Sequence, residues 1–172
     1  MASLMENLIE TLESESSEYE VLFRLSEKKT PIIVKGDLEA LQQITDEEQA
    51  VVSRIHNLEL RRIEATKDIA NVINKDVETL KLKNLIQMLE GRPGEQQKLQ
   101  TVHDKLQDVI QRMQAVNNQN RDLINHALEL VAFDLNLLQA MKAAPETANY
   151  NKGAYSAGSV MGTERNGFDA KQ

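Results

Sequence analysis

A long heptad repeat in the second half of the sequence constrains the fold more than any other feature. Apolar residues recur in alternating steps of three and four from Leu99 to Met141, with polar exceptions at Asn120 and Asp134. A repeat of this length is typical of a helix that buries one seam against neighbouring helices. The sequence therefore predicts a long helix here and a fold built from packed helices.

A second repeat of the same kind runs from Leu41 to Val72, with polar exceptions at Glu48 and Arg62. If the two repeats pair antiparallel, Glu48 lies near Asn120 and Arg62 lies near Asp108. Polar residues in one seam then meet polar partners in the other, as residues that set the register of a bundle do. We take this pairing as a hypothesis about the register.

The first segment of the chain has a weaker repeat, which extends from Met5 to Ile33. The polar residues that interrupt it are Glu15, Ser26 and Lys29. Pro31 has no backbone N–H to donate, so a kink or early fraying is expected near Thr30.

Glycine, proline and capping residues divide the chain into segments. Gly36 suits the end of one helix and Asp37 the start of the next, while Thr79 is a plausible cap for a short helix. We predict helices at about 3–34, 37–74, 79–90 and 94–142, a helical domain over 1–142, and a flexible tail over 143–172.

Composition supports the same fold class. The 172 residues include only 3% aromatic residues, with no Trp and no Cys. A compact β or α/β core is therefore disfavoured. We predict an all-α protein, an elongated antiparallel helical bundle or coiled coil of three long helices with a short connecting helix.

The absence of Cys fits a reducing compartment, and no basic segment followed by an apolar stretch opens the chain. We therefore expect a cytoplasmic protein. The net charge is −7, which disfavours nucleic acid as a partner. No apolar run is long enough to predict a membrane span.

No motif in the sequence predicts catalysis or a metal site. None of His56, His103 and His126 has a Glu three residues before it, so the paired motif of di-iron bundles is absent. There is no glycine-rich phosphate loop and no Ser nucleophile elbow. We expect neither enzyme activity nor a cofactor.

From Leu123 onward a second apolar stripe runs beside the seam of the last helix. Its members are Ile124, Leu128, Val131, Leu135 and Leu138. This face is wider than a two-stranded seam requires, and the proposed register places residues past about Phe133 beyond the start of the second long helix. The stripe is either an interaction site or a surface that the first helix or a second copy of the chain covers.

The tail contains three of the six aromatic residues of the chain, Tyr150, Tyr155 and Phe168. Aromatic residues in such a segment can anchor a short motif that becomes ordered on binding. Alternatively, they pack back on the bundle or have no role.

Several segments together resemble the FlgN-type flagellar export chaperones. They are Lys35–Leu41, Thr79–Leu89, Asn117–Ile124 with the apolar run to Met141, Tyr150–Gly153 and Phe168–Lys171. The resemblance implies a chaperone that binds hook–filament junction (hook-associated) proteins in the cytoplasm and brings them to the flagellar type III export gate.

The resemblance also implies where the partners bind. The last helix would bind the client's terminal helices, through Leu123, Ile124, Ala127, Leu128, Val131, Leu135 and Leu138. The tail aromatics, Tyr150 first, would dock on the export gate. The alternative is a structural coiled-coil adaptor that forms a homodimer through the same stripe and has no role in export.

Overall fold

A computed structural model describes residues 2–77 and 80–143 as four helices. They are α1 (Ala2–Lys35), α2 (Leu38–Ile73), α3 (Leu82–Met88) and α4 (Pro93–Ala143), and these described ranges contain no strand. The predicted all-α fold class is confirmed. Except for Ala143, the predicted tail lies outside the described residues.

The contacts divide the chain into two compact units, Met1–Leu128 and Glu129–Gln172. The first unit contains α1, α2, α3 and the residues of α4 up to Leu128. In the second unit, the described residues are the last turns of α4, from Glu129 to Ala143.

The connection between α1 and α2 is only two residues long, because both helix ends are capped within it. Gly36 adopts φ +67°, and its N–H donates to the Ile33 carbonyl while the Asp37 N–H donates to the Ile32 carbonyl. Glycine tolerates this left-handed conformation without a steric cost. The Asp37 carboxylate then accepts from the Ala40 N–H at 3.0 Å and begins α2.

The predicted fraying near Thr30 is wrong, because α1 continues through Pro31 to Lys35. Proline removes a single helical N–H donor. The turn beyond it is held in place because Ile33 is buried and Ile32 packs against the core formed with α2.

The short helix is shorter than predicted, Leu82–Met88 rather than 79–90. The Leu80 N–H bonds to the Val77 carbonyl in a turn, and helical bonding starts only at the Lys81 carbonyl, which accepts from Leu85 at 3.1 Å. Lys81 therefore occupies the cap position predicted for Thr79, which lies outside the described residues.

Side-chain pairs show the direction of the long helices in the first unit. Glu18 pairs with Arg54 and Ser26 with Glu48, so residue numbers rise along α1 as they fall along α2. Glu20 pairs with Arg112, and Thr30 bonds to Asn120 at 2.7 Å. Helix α1 therefore runs antiparallel to α2 and parallel to α4.

The core of this unit lies in two clusters. The larger cluster joins all four helices, with fully buried Leu8, Leu12 and Leu99 and with α3 packed on it through Leu85 and Ile86. The smaller cluster joins α1 to α2 and consists of Leu22, Leu25, Ile44, Val51 and Ile55.

A polar layer next to the smaller cluster links the three long helices. Ser26 donates to Glu48 at 3.1 Å, and Lys29 pairs with the same carboxylate at 2.7 Å. The Asn120 amide donates to the Ser26 carbonyl at 2.8 Å and accepts from Thr30. Glu48 and Asn120 thus share Ser26 as a partner, and the buried polar groups of the layer are bonded to one another.

A second polar layer contains Glu15, whose exposed fraction is only 2%. Its carboxylate lies 3.0 Å from Arg62 Nε, although the two groups are not aligned for a good hydrogen bond. The predicted pairing of Arg62 with Asp108 is therefore wrong, since Asp108 pairs with Arg112 at 2.8 Å on the same helix. The polar residues that weaken the α1 repeat are thus the partners of Glu48 and Arg62 in α2 and of Asn120 in α4.

Burial and charge affect the ionisation of this second layer. Burial raises the pKa of Glu15 above the ordinary value of a Glu side chain, the positive charge of Arg62 opposes the shift, and Glu59 adds to it. The pKa of the neighbouring Tyr19 is also raised, first by burial and then by the charges of Glu59 and Glu15.

Candidate functional site

Burial of the α4 seam ends well before the helix does. Leu99, Val102, Leu106 and Val109 are buried, while Leu123 and Ile124 are half-buried. Every residue from 125 to 143 is exposed. The exposed part of α4 thus begins before Phe133, the position at which the sequence analysis placed its start. One reason is that α1, which runs parallel to α4, ends at Lys35, five residues beyond the Thr30 that bonds to Asn120.

The predicted stripe falls across this change in burial. In the first unit, Leu123 and Ile124 are half-buried, while Ala127 and Leu128 are exposed. In the second unit, Val131, Leu135 and Leu138 are exposed. Leucine and valine side chains with this much exposure, repeated at helical spacing, are typical of a surface that binds another protein.

Four more large apolar residues of α4 are exposed that the sequence analysis did not include in the site. They are Leu130, Phe133, Leu137 and Met141, each between 49% and 67% exposed. Leu130, Leu137 and Met141 continue the heptad seam, and the proposed register had placed Leu137 and Met141 beyond the start of the second long helix. The signal that could have identified them is the continuation of the seam beyond Leu128 at unchanged spacing.

Charge contributes little to this part of α4. Between residues 129 and 143 the charged residues are Glu129, Asp134 and Lys142, and the opposite side of the helix has uncharged polar residues such as Asn136 and Gln139. A partner bound here is therefore held mainly by burial of apolar surface. Recognition of this kind suits an amphipathic helix that lays its apolar face on the surface.

The tail aromatics Tyr150, Tyr155 and Phe168, predicted to dock on the export gate, lie outside the described residues.

One cleft in the first unit is small for a ligand site. A cleft of about 260 Å³ lies among α1, α2, α3 and the start of α4, lined by residues that include Met5, Ile69, Leu85 and Arg92. This volume is below the roughly 300–1,000 Å³ of ordinary small-molecule pockets. Across residues 2–77 and 80–143, no three His, Asp or Glu side chains are grouped as metal ligands would be. No helix in those ranges has the length and apolar character needed to cross a membrane.

Comparisons with known proteins give a consistent result. The family model of the FlgN proteins matches residues 1–156 of the chain. The uncharacterized protein YvyG of Bacillus subtilis (strain 168) is 26% identical over 144 residues, which cover 84% of this chain and 83% of that protein. No solved structure matches the chain.

Proposed function

This chain belongs to the FlgN family of flagellar export chaperones, and we propose that it binds hook–filament junction proteins in the cytoplasm. In this proposal it prevents the premature assembly of these clients and delivers them to the flagellar type III export gate. The family is one of chaperones rather than enzymes. The observation that carries the proposal is the exposed apolar surface at the end of α4, in a chain whose family binds flagellar substrate proteins.

The proposed client site consists of the predicted stripe on α4. Its residues are Leu123, Ile124, Ala127, Leu128, Val131, Leu135 and Leu138. An amphipathic client helix lays its apolar side on this stripe and buries it. Each well-buried Leu contributes roughly 1.5–3 kcal/mol, less the entropy lost on association, and no cofactor takes part.

In this proposal, the same surface protects the client helix while it is bound and allows its later release. A client helix that would otherwise assemble with other copies is covered while it is bound to α4. The entropy lost on association offsets part of the energy gained by burial, and the net affinity has to stay modest because the client must be released at the gate.

Docking on the gate is assigned to the tail, with Tyr150 as the first candidate and Tyr155 and Phe168 as further anchors. Separating the two sites allows the chaperone to hold its client while the tail contacts the export machinery. A second copy of this chain is the competing occupant of the α4 stripe, since a homodimer would bury the same apolar residues.

The test is a pull-down from the cytoplasm of flagellated cells, with the intact chain and with a version that ends at Ala144. We expect both to recover hook–filament junction proteins, and only the intact chain to recover a component of the export gate. Recovery of nothing except further copies of the chain itself would contradict the proposal and favour the self-associating adaptor.

A further inference from the structure

The turn between α1 and α2 has two apolar side chains that neither helix buries. Leu38 is 77% exposed and Val34 is 70% exposed, more than any other large apolar side chain in the part of the chain that the structure describes. Neither residue belongs to the heptad seams or to the proposed client stripe. Single exposed leucines and valines are common on protein surfaces, so the position of this pair in the fold decides whether it has a role.

The α1–α2 turn holds the two side chains in a fixed place. The two residues between the helices make the capping bonds described above. Ile33, next to Val34, is buried, and Leu41, about one helical turn after Leu38, packs against the smaller core cluster. The turn cannot fold over to bury Val34 and Leu38 without breaking these contacts, so the pair forms a preorganised apolar surface.

Val34 lies level with the place where the burial of α4 ends. Thr30 bonds to Asn120, and α1 runs parallel to α4. Val34 and Ile124 each lie one helical turn beyond this bond, which at a rise of about 1.5 Å per residue is roughly 6 Å along each helix. Ile124 is half-buried, and residues 125–128 are exposed. The α1–α2 turn is therefore beside the beginning of the exposed stripe, within the first unit.

At this level the stripe faces the side of α4 on which α1 lies. The Asn120 amide donates to the Ser26 carbonyl of α1 at 2.8 Å. At about 100° per residue, Ile124 and Ala127 point within roughly 40° of the direction of Asn120. Since α1 ends at Lys35 and residues 125–128 are exposed, no described helix of the first unit takes the place that a longer α1 would occupy.

We propose that Val34 and Leu38 belong to the client site, as the surface against which one end of the client helix packs. This inference rests on the proposed function, in which a client helix covers Ile124, Ala127 and Leu128. A helix with its side chains is about 10–12 Å across, so a client helix on this side of α4 takes the place of a longer α1 and its end meets the α1–α2 turn. An apolar side chain in the terminal turn of the client helix is then buried against Val34 and Leu38.

The α1–α2 turn gives the client helix a defined position along α4. Apolar residues at helical spacing alone let a partner helix shift by one turn with little change in its apolar contacts. A wall at one end removes this freedom, because only one placement buries Val34 and Leu38 together with Leu128. The turn thus fixes where the client helix stops and favours clients with an apolar residue at that end.

The first test replaces the two turn residues by charged residues that suit their helix ends. Val34→Lys places a cation in the last turn of α1 and Leu38→Glu places an anion in the first turn of α2, and each charge agrees with the helix dipole. Both variants should therefore keep their helix content and thermal stability. In isothermal titration calorimetry with a purified hook–filament junction protein, we expect each variant to bind about tenfold more weakly and the double variant roughly 50-fold more weakly.

Val52→Lys is the matched control for these variants. Val52 is an exposed valine of α2 that lies away from the turn, so this variant should bind the client like the natural sequence.

The second test locates the end of the client helix. The photo-activated residue p-benzoylphenylalanine replaces Leu38 or Leu128 in the full chain, and mass spectrometry identifies the client peptides that become joined. We expect both positions to join the same client helix. The Leu38 position should join its terminal turn, and the Leu128 position should join it about one turn further from that end.

The outcomes separate this inference from the function on which it rests. If the folded double variant binds with unchanged affinity while Leu128→Asp loses binding, the turn is outside the client site and the chaperone function stands. A cross-link from Leu38 to a second copy of the chain, or to a client segment other than the helix joined at Leu128, would also overturn the inference. If the double variant and Leu128→Asp both bind with unchanged affinity, the proposed client site itself is wrong.

Discussion

Replacing Leu135 with Asp is expected to reduce affinity for a hook–filament junction protein by about 100-fold or more while the chain stays folded. The variant loses the burial of a leucine, roughly 1.5–3 kcal/mol, and places a charge in an apolar contact. Each 1.4 kcal/mol corresponds to a tenfold change in affinity. Leu135 is 54% exposed in the free chain, so the folded state should lose little stability. Leu128→Asp should behave in the same way.

The measurement is isothermal titration calorimetry of the purified chaperone with the purified client, with circular dichroism as the check on helix content. Asn136→Asp is the matched control, because it adds the same charge one residue away on the polar side of α4. It should bind like the natural sequence. A folded Leu135→Asp variant with unchanged affinity would remove this stripe from the binding site.

Replacing Arg62 with Met is expected to lower the free energy of unfolding by about 3 kcal/mol at pH 7. The substitution keeps a long apolar side chain but leaves the buried Glu15 carboxylate without the cation 3.0 Å away. Breaking a buried ion pair by removing one partner generally costs several kcal/mol, because an uncompensated charge remains. Arg61→Met is the matched control, since Arg61 is exposed, and it should change stability little.

The loss of stability in the Arg62→Met variant should depend on pH in a defined direction. The pKa of Glu15 is already raised by burial, and it rises further when the opposing charge of Arg62 is removed. A carboxyl with a raised pKa binds more protons in the folded state than in the unfolded state. The contribution of Glu15 to the free energy of unfolding is therefore most favourable below the ordinary pKa of Glu. This contribution falls as the pH rises through the raised pKa of Glu15.

Denaturant unfolding of the Arg62→Met variant at several pH values measures this dependence. The defect should be small near pH 4 and larger at pH 7, and adding Glu15→Gln to Arg62→Met should reduce the defect at pH 7. An Arg62→Met variant as stable as the natural sequence at pH 7 would show that the pair does not compensate the buried charge.

The helices and the apolar surface of α4 could be predicted because both depend on residue spacing within one segment. A seam from Leu99 to Met141 defines the buried side of a helix without knowledge of its neighbours. The stripe through Leu128 and Leu135 could be identified in the same way, since it exceeds what a single seam needs.

The partners of the polar residues could not be predicted from spacing. Arg62 was assigned to Asp108, whereas its partner is Glu15 of α1. Which of two neighbouring helices a seam residue meets depends on how each helix is rotated about its axis, and that rotation is set by the packing of all three helices. The polar residues that interrupt the α1 repeat were therefore interpreted as a sign of weaker packing. In the structure, Ser26 and Glu15 bond to neighbouring helices and help to set the register of α1.

The extent of the exposed surface was also underestimated, for a related reason. The pairing of α2 with α4 alone placed the start of exposure along α4 at about Phe133. The burial of α4 also depends on where α1 ends. Since Lys35 is the last residue of α1, side chains at the end of the first unit, from residue 125 to residue 128, are exposed.

The most direct test of the central claim is amide hydrogen exchange along the chain, measured with and without a purified hook–filament junction protein. We expect exchange to slow on binding at residues 128–141 of α4 and not to change in the core around Leu8 and Leu12. Tight binding of the client with unchanged exchange at residues 128–141, and slowing elsewhere in the bundle, would contradict it.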